Sequence, residues 1–350
     1  MSSAVDTLAK IDLYCQWEGA IRPEFLMRLA RARGLPEGED LAILRAKLRL
    51  EKAEQLPDLQ AYVRQLFQSE QDVEDAARDL AETLIAETVV HVEIFVDPTA
   101  WSHLNLDPVQ LFEAMDRGLM GAVTEVDDVF LSWVFVPVLR RDLSEGDATA
   151  LVTALIAGEI ERLRGIAVSD QGEATQNAAH LKAALDVARQ ASLGIVVCGG
   201  DFAGQASVAE ALALGASRLV GAVAALKDAN LVLQLRAHRT PVVVLPSWQL
   251  LTGAARTMAS HPLRKFKEAG IFTVIGSGWP QWLGTSMTGE LEQMALHHHW
   301  RLDDMRNASS RAIEAAFMEP NLRFHLSRRI EVWRHRPLAG PPNKSDNWSL

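Results

Sequence analysis

Eight short apolar runs, each bounded by turn or cap residues, recur along this chain, and they limit its fold more than any other feature. They fall at residues 11–17, 89–96, 130–139, 165–169, 194–198, 218–223, 241–246 and 272–275. Most are β-branched and apolar at successive positions, the pattern of parallel strands buried on both faces beneath helices. Helical periodicity fills the stretches between them. Residues 22–33 place Phe25, Leu26, Leu29 and Ala30 on one face, with Pro23 suited to the first turn. Residues 181–191, 207–214 and 231–237 separate the later strands. Strand and helix alternating eight times predicts an α/β fold closed as a (β/α)8 TIM barrel, with an open doubly wound sheet as the alternative.

Such a barrel takes about 250 residues and tolerates insertions, and this chain has 350. The surplus lies mainly between the first two strands, where about 70 residues read as an extra helical insertion that includes 40–52 and 70–86. All βα loops emerge at one end, so the insertion is expected over the barrel mouth. Residues 8–335 form one barrel on this reading. Residues 336–350, RPLAGPPNKSDNWSL, are rich in proline and polar side chains and are expected to be a mobile tail.

A formal net charge of −10 argues against non-specific binding to nucleic acid or an anionic membrane. The first residues lack a basic leader, and no apolar stretch approaches the ~20 residues that span a bilayer. A cytoplasmic protein is expected, its oligomeric state open. Two cysteines, Cys15 and Cys198, make no disulfide framework. On the first strand of the expected barrel Cys15 alternates with Tyr14 and Gln16 and should face the helices.

Five local patterns, in order, carry a family resemblance: KIDLYCQWEGAIRPEFL (10–26), AETVVHVEIFVDP (86–98), SVAEALALGASRLVGAVAAL (207–226), TPVVVLPSWQLLTGAARTMASHPLRKFKEAG (240–270) and TVIGSGWPQWLGTSMTGE (273–290). Together they resemble the adenosine deaminases of the amidohydrolase superfamily, which are zinc-dependent TIM-barrel hydrolases of purine metabolism. The resemblance implies zinc held by two histidines ending strand one, a histidine on strand five and an aspartate on strand eight. Those positions read Tyr14, Gln16, Cys198 and Gly278. Catalytic zinc usually takes at least three converging His, Cys or carboxylate ligands, and only Cys198 qualifies. The family's general-base histidine falls at Gly221 and a second strand-eight aspartate at Trp279. The strand-five glutamate is kept in kind as Asp201. The carboxylate that meets the ribose corresponds to Glu18, and a glycine that meets the base corresponds to Asp170.

Zinc lowers the pKa of its bound water from 15.7 to about 7, and a base adds roughly 10² to 10⁴ in rate. Without either, Asp201 alone does not supply the nucleophile, so no cofactor is expected and hydrolytic deamination is not. Trp17, Trp248, Trp279 and Trp282 gather at the mouth, where they would stack a planar ligand or plug a vacated cavity. Gly221, Gly276 and Gly278 would free the space for such a plug. His297, His298 and His299 are consecutive and point about 100° apart on a helix, unsuited to one ion. Cys198 is read as a buried thiol rather than a nucleophile, since no histidine falls at a neighbouring strand end. The Cys198-Gly-Gly-Asp201 turn gives a weak anion-cradle signal. His261, before Pro262, reads as structural, and Arg140 and Arg141 as solvated loop cations or acid binders.

Three functions follow. The first is a pseudoenzyme, an adenosine deaminase-like barrel that binds a small, nucleoside-like ligand or regulates, with Glu18, Asp170, Trp248 and Trp279 as contacts. The second is a metal-free enzyme using Glu18, Asp170 and Asp201 as acid–base groups. The third is a deaminase whose metal site has moved.

Overall fold

The computed structural model describes residues 5–124, 130–169 and 177–334. Asp170 and the tail at 336–350 lie outside the described residues. Eight parallel strands run in chain order around one sheet: β1 (Lys10–Gln16), β2 (Val89–Val96), β3 (Ser132–Leu139), β4 (Gly165–Val168), β5 (Gly194–Gly199), β6 (Arg218–Gly221), β7 (Val242–Val244) and β8 (Thr273–Ile275). The seam between β8 and β1 closes just past β8. There the Gly278 N–H donates to the Tyr14 carbonyl and the Gln16 N–H to the Gly278 carbonyl, each at 2.8 Å. The fold is a (β/α)8 TIM barrel with helices between its strands.

Some strands are shorter than their apolar runs, for local reasons. Pro246 opens the helix Pro246–Leu251, which truncates β7. Ala222 takes a left-handed conformation at φ 58° and ends β6. Trp17 starts a short helix, Trp17–Ala20, instead of extending β1.

Helices Leu41–Leu48, Leu56–Gln65 and Glu70–Ala86 stand between β1 and β2. Asp40 caps the first by accepting from the Ala42 and Ile43 amides. Ser69 and Asp72 form a capping box on the third. That third helix belongs to the outer ring and packs closely on Pro108–Thr124, for a Cβ at Gly118 would lie 2.0 Å from the Glu74 carbonyl oxygen. The earlier part reaches the strand ends, where the Leu50 N–H donates to the Trp282 carbonyl at 2.9 Å.

The opposite end is sealed by Arg218 and Glu93, both fully buried and ion-paired. Glu93 also accepts from the Phe317 N–H at 2.8 Å, and the Phe317 ring lies 4.1 Å from the Arg218 guanidinium. This ring takes the space that glycines 165 and 194 leave, since a Cβ at either would fall within 2.9 Å of it.

Candidate functional site

The side-chain layer at the barrel mouth is closed on itself. Tyr14 and Gln16, two apart on β1, point the same way. The Gln16 amide donates to the Tyr14 hydroxyl at 2.7 Å, and that hydroxyl lies 3.4 Å from the Cys198 thiol across the barrel. Cys15 points to the other face, lining a cavity of about 20 Å³ with Leu80, Thr83 and Leu84 of Glu70–Ala86. Both cysteines are buried, and no disulfide joins them. Below them the buried Asp12 carboxyl ties β1 to the chain after β8. It accepts from the Tyr14 N–H at 3.2 Å, the Ser277 N–H at 3.1 Å and the Ser277 hydroxyl. Burial raises its pKa above the ordinary value.

Aromatic rings pack on this layer at tilted and edge-on angles. Trp279 is 2% exposed. Its ring centre lies 4.3 Å from that of Trp248 and 6.0 Å from that of Tyr14, which in turn meets Phe95 at 4.3 Å. Trp17 and Trp282 are fully buried. The space argument from the sequence needs correction. Trp279 packs on Gly19, where a Cβ would come within 2.5 Å of the indole, whereas a Cβ at Gly278 would meet only Leu245 and Leu283 at ordinary contact.

The space at Gly221 is taken by Asp201. A Cβ there would lie 2.8 Å from each carboxyl oxygen. The Gln249 amide donates to Asp201 at 3.3 Å from both oxygens. On its other side the Gln249 carbonyl accepts from His261 Nε2 at 2.8 Å, and His261 Nδ1 accepts from the Leu263 N–H at 3.2 Å. These partners fix His261 as the neutral Nε2–H tautomer. Burial, with a lesser push from His298, lowers its pKa to about 4. Burial pushes the Asp201 carboxyl up to about 7, partly offset by the Gln249 amide and the Val223 N–H. A carboxyl at that value exchanges its proton near neutrality, as a general acid or base does.

Glu18 is brought to the same end but is engaged elsewhere. It is 1% exposed and accepts from Arg64 Nε at 2.7 Å. Arg141 is not solvated, contrary to the sequence reading. It is buried, donates to the Ser169 carbonyl at 2.7 Å, approaches the Cys198 carbonyl at 3.4 Å and pairs with Glu210 at 2.6 Å. Arg140 is half exposed and pairs with Asp142 at 2.9 Å. His297 and His298 end the helix Met287–His298, and His299 is its left-handed cap. His298 meets the Met258 carbonyl at 2.8 Å. Sequence reasoning missed Gln249, Arg64 and the Asp201–Gln249–His261 chain. The one hint was that Gln249 follows a mouth tryptophan.

The profile described as Adenosine deaminase matches residues 9–333. The chain belongs to the adenosine deaminase family. It is 27% identical over 333 residues to an adenine deaminase of Sinorhizobium fredii, across 93% of this chain and 99% of that protein. It is 25% identical over 338 residues to an adenosine deaminase of Enterococcus faecalis, across 94% and 98%. The crystal structure of adenine deaminase from Arthrobacter aurescens superposes with a TM-score of 0.84 at 23% identity, covering 94% of this chain and all of that one. Arabidopsis N6-mAMP deaminase superposes equally well at 18% identity, across 94% and 99%. No described helix is long and apolar enough to cross a membrane.

Proposed function

We propose that this member of the family holds no zinc, does not deaminate, and serves as a binding barrel for a small planar ligand of nucleoside or nucleobase type. The observation that carries this reading is the way the family's metal and base positions are spent on one another. The Tyr14 hydroxyl is engaged by Gln16 and faces the Cys198 thiol, Gly278 offers no donor, and the Asp201 carboxyl fills the volume a side chain at Gly221 needs. A phenol, an amide and one thiol do not make the three-ligand set that catalytic zinc takes. No step is therefore derived through zinc. The relatives named adenine deaminase and adenosine deaminase support a purine-like ligand. Trp248 and Trp279 are the contacts it would meet, together with Asp170, while Glu18 stays paired with Arg64.

Elemental analysis of protein purified without added metal tests the proposal. Zinc well below one per chain and a melting temperature indifferent to chelator are expected, and one zinc per chain rejects it. A thermal-shift screen of nucleosides and bases then seeks the ligand, since one bound only by the folded state raises stability. The Asp201 carboxyl at about 7 favours one second reading, a metal-free acid–base enzyme. Turnover of a hit, lost in Asp201→Asn, would establish it.

A further inference from the structure

A three-residue segment lies against Trp248, and its first two residues are seated by their side chains. Asp201, Phe202 and Ala203 lie between Gly200 and Gly204, both left-handed at φ 97° and 67°. Gly200 is anchored: its N–H donates to the Ser207 hydroxyl at 2.8 Å and its carbonyl accepts from the Ala224 N–H at 3.1 Å. Around Gly204 there is open space. Among the described residues, no loop or turn backbone bond involves Asp201 or Phe202, while Ala203 is the N-cap of the helix Gly204–Ala213. Two side chains seat the segment. The Phe202 ring, 40% exposed, lies edge-on to Trp248 with centres 5.8 Å apart. The Asp201 carboxyl reaches inward to Gln249 and the Gly221 backbone.

We propose that residues 201–203 are a proton-gated lid on the barrel mouth, seated while Asp201 carries its proton and released when it is lost. The inference rests on the reading of the mouth as a ligand site and supplies its regulation. A seated carboxylate would be met by neutral donors, the Gln249 amide and the Val223 N–H. Gln249 donates to it at 3.3 Å, longer than a charge-assisted bond. On β5, three residues before Asp201, the Cys198 thiol contacts the Tyr14 hydroxyl and the Cys198 carbonyl meets Arg141, whose charge is matched by Glu210. From the β6 side come the Gly221 backbone and the Val223 N–H, a neutral donor to the carboxyl. Behind Gln249 stands His261, kept neutral by burial, and beyond it His298. None of these described neighbours offers a free cation. In water the same carboxylate is fully hydrated, and the flanking glycines let the backbone swing it there.

The direction with pH follows from the two states. The seated carboxyl titrates at about 7, and a released one near its ordinary 3.8. Below about pH 4 both states are protonated and seating is strongest. Between about 4 and 7 only the released state loses its proton, so each pH unit weakens seating about tenfold. Above about 7 both are ionised and the change stops, after a total of roughly 10³-fold.

Quenching of tryptophan fluorescence by acrylamide, a neutral probe, reads the lid on the unliganded full chain. Between pH 5 and 8 quenching should rise with pH and level off above about 7, with a smaller rise in Trp248→Phe. Asp201→Asn and Asp201→Ser should each abolish the rise. A flat profile in the parent protein overturns the proposal, as does a rise that survives either Asp201 variant. No ligand or metal enters this measurement, so it fails separately from the binding reading. A pH-independent lid with thermal-shift hits sinks only the lid, whereas a moving lid on a chain with one zinc sinks only the non-zinc reading.

Discussion

Cutting Trp279 to alanine separates a structural ring from a ligand platform. The side chain is 2% exposed, lies against Trp248 and Tyr14, and sits on Gly19. An aromatic of this size buries about 150–250 Å², which at ~25 cal/mol per Å² is worth roughly 4–6 kcal/mol as an upper bound. One contribution works the other way. The indole N–H is buried without a partner among the described residues, a burden of ~1–3 kcal/mol that truncation relieves. The net expectation is a loss of about 3 kcal/mol, at the low end of the usual range for a buried aromatic. With a urea slope of ~3 kcal/mol per molar, the midpoint falls by about 1 M. An unchanged midpoint with an unchanged slope would refute the plug, because a ring that can be deleted at no cost is not filling the barrel.

Three further outcomes are expected. Incubation with adenosine or adenine should produce neither loss of adenine absorbance nor ammonia, and turnover that stops in Asp201→Asn would show family chemistry surviving without the usual ligands. Arg64→Met leaves the Glu18 carboxylate buried and unpaired. It should cost about 3–5 kcal/mol by chemical denaturation, and a loss under ~1 kcal/mol would show Glu18 free to meet a ligand. Gly221→Ala drives a Cβ to 2.8 Å from the Asp201 carboxyl at a φ of 93°. It should destabilise by ~2–4 kcal/mol, with part recovered in the double variant with Asp201→Gly, and strict additivity would rule out the shared space.

The barrel was legible because its strands are written as isolated β-branched runs, which no helix of that length would tolerate between capped segments. The run VVHVEIFV reads as a strand and is buried at every position. Boundaries were less legible wherever a backbone conformation rather than hydrophobicity ends the strand, as at Ala222 and Pro246. The identities at positions 14, 16, 198 and 278 were plain from the resemblance, but how they are satisfied was not. The Glu18–Arg64 pair joins residues 46 apart through a helix that periodicity places only loosely. Arg141 looked like a loop cation because its partner, Glu210, is 69 residues away. That Asp201 takes the space of Gly221 depends on φ values at Gly200 and Gly221, and no side-chain pattern encodes those.

Polar satisfaction is uneven across the mouth, and the unevenness says something about its use. Atoms at the positions that correspond to two of the family's metal ligands and to its strand-five glutamate have partners: the Tyr14 hydroxyl, the Gln16 amide and the Asp201 carboxyl all contact a neighbour. Reinstating one family residue would therefore strand others, and a single histidine at 221 would collide with Asp201 before it met any substrate. The indoles differ. Trp17, Trp279 and Trp282 each bury an N–H without a partner among the described residues. A purely structural plug gains from leucine or phenylalanine, which fill volume without that penalty. Indoles are worth keeping if an acceptor atom arrives from outside, as the ring nitrogen or carbonyl of a planar heterocycle would once the lid at 201–203 lifts. The resting barrel would then be closed and mildly frustrated at Trp279, and ligand binding would relieve that frustration. Trp279→Phe tests the point: it should leave the denaturation midpoint equal or higher while weakening any ligand found by the screen, and unchanged affinity would remove the indole N–H from the account.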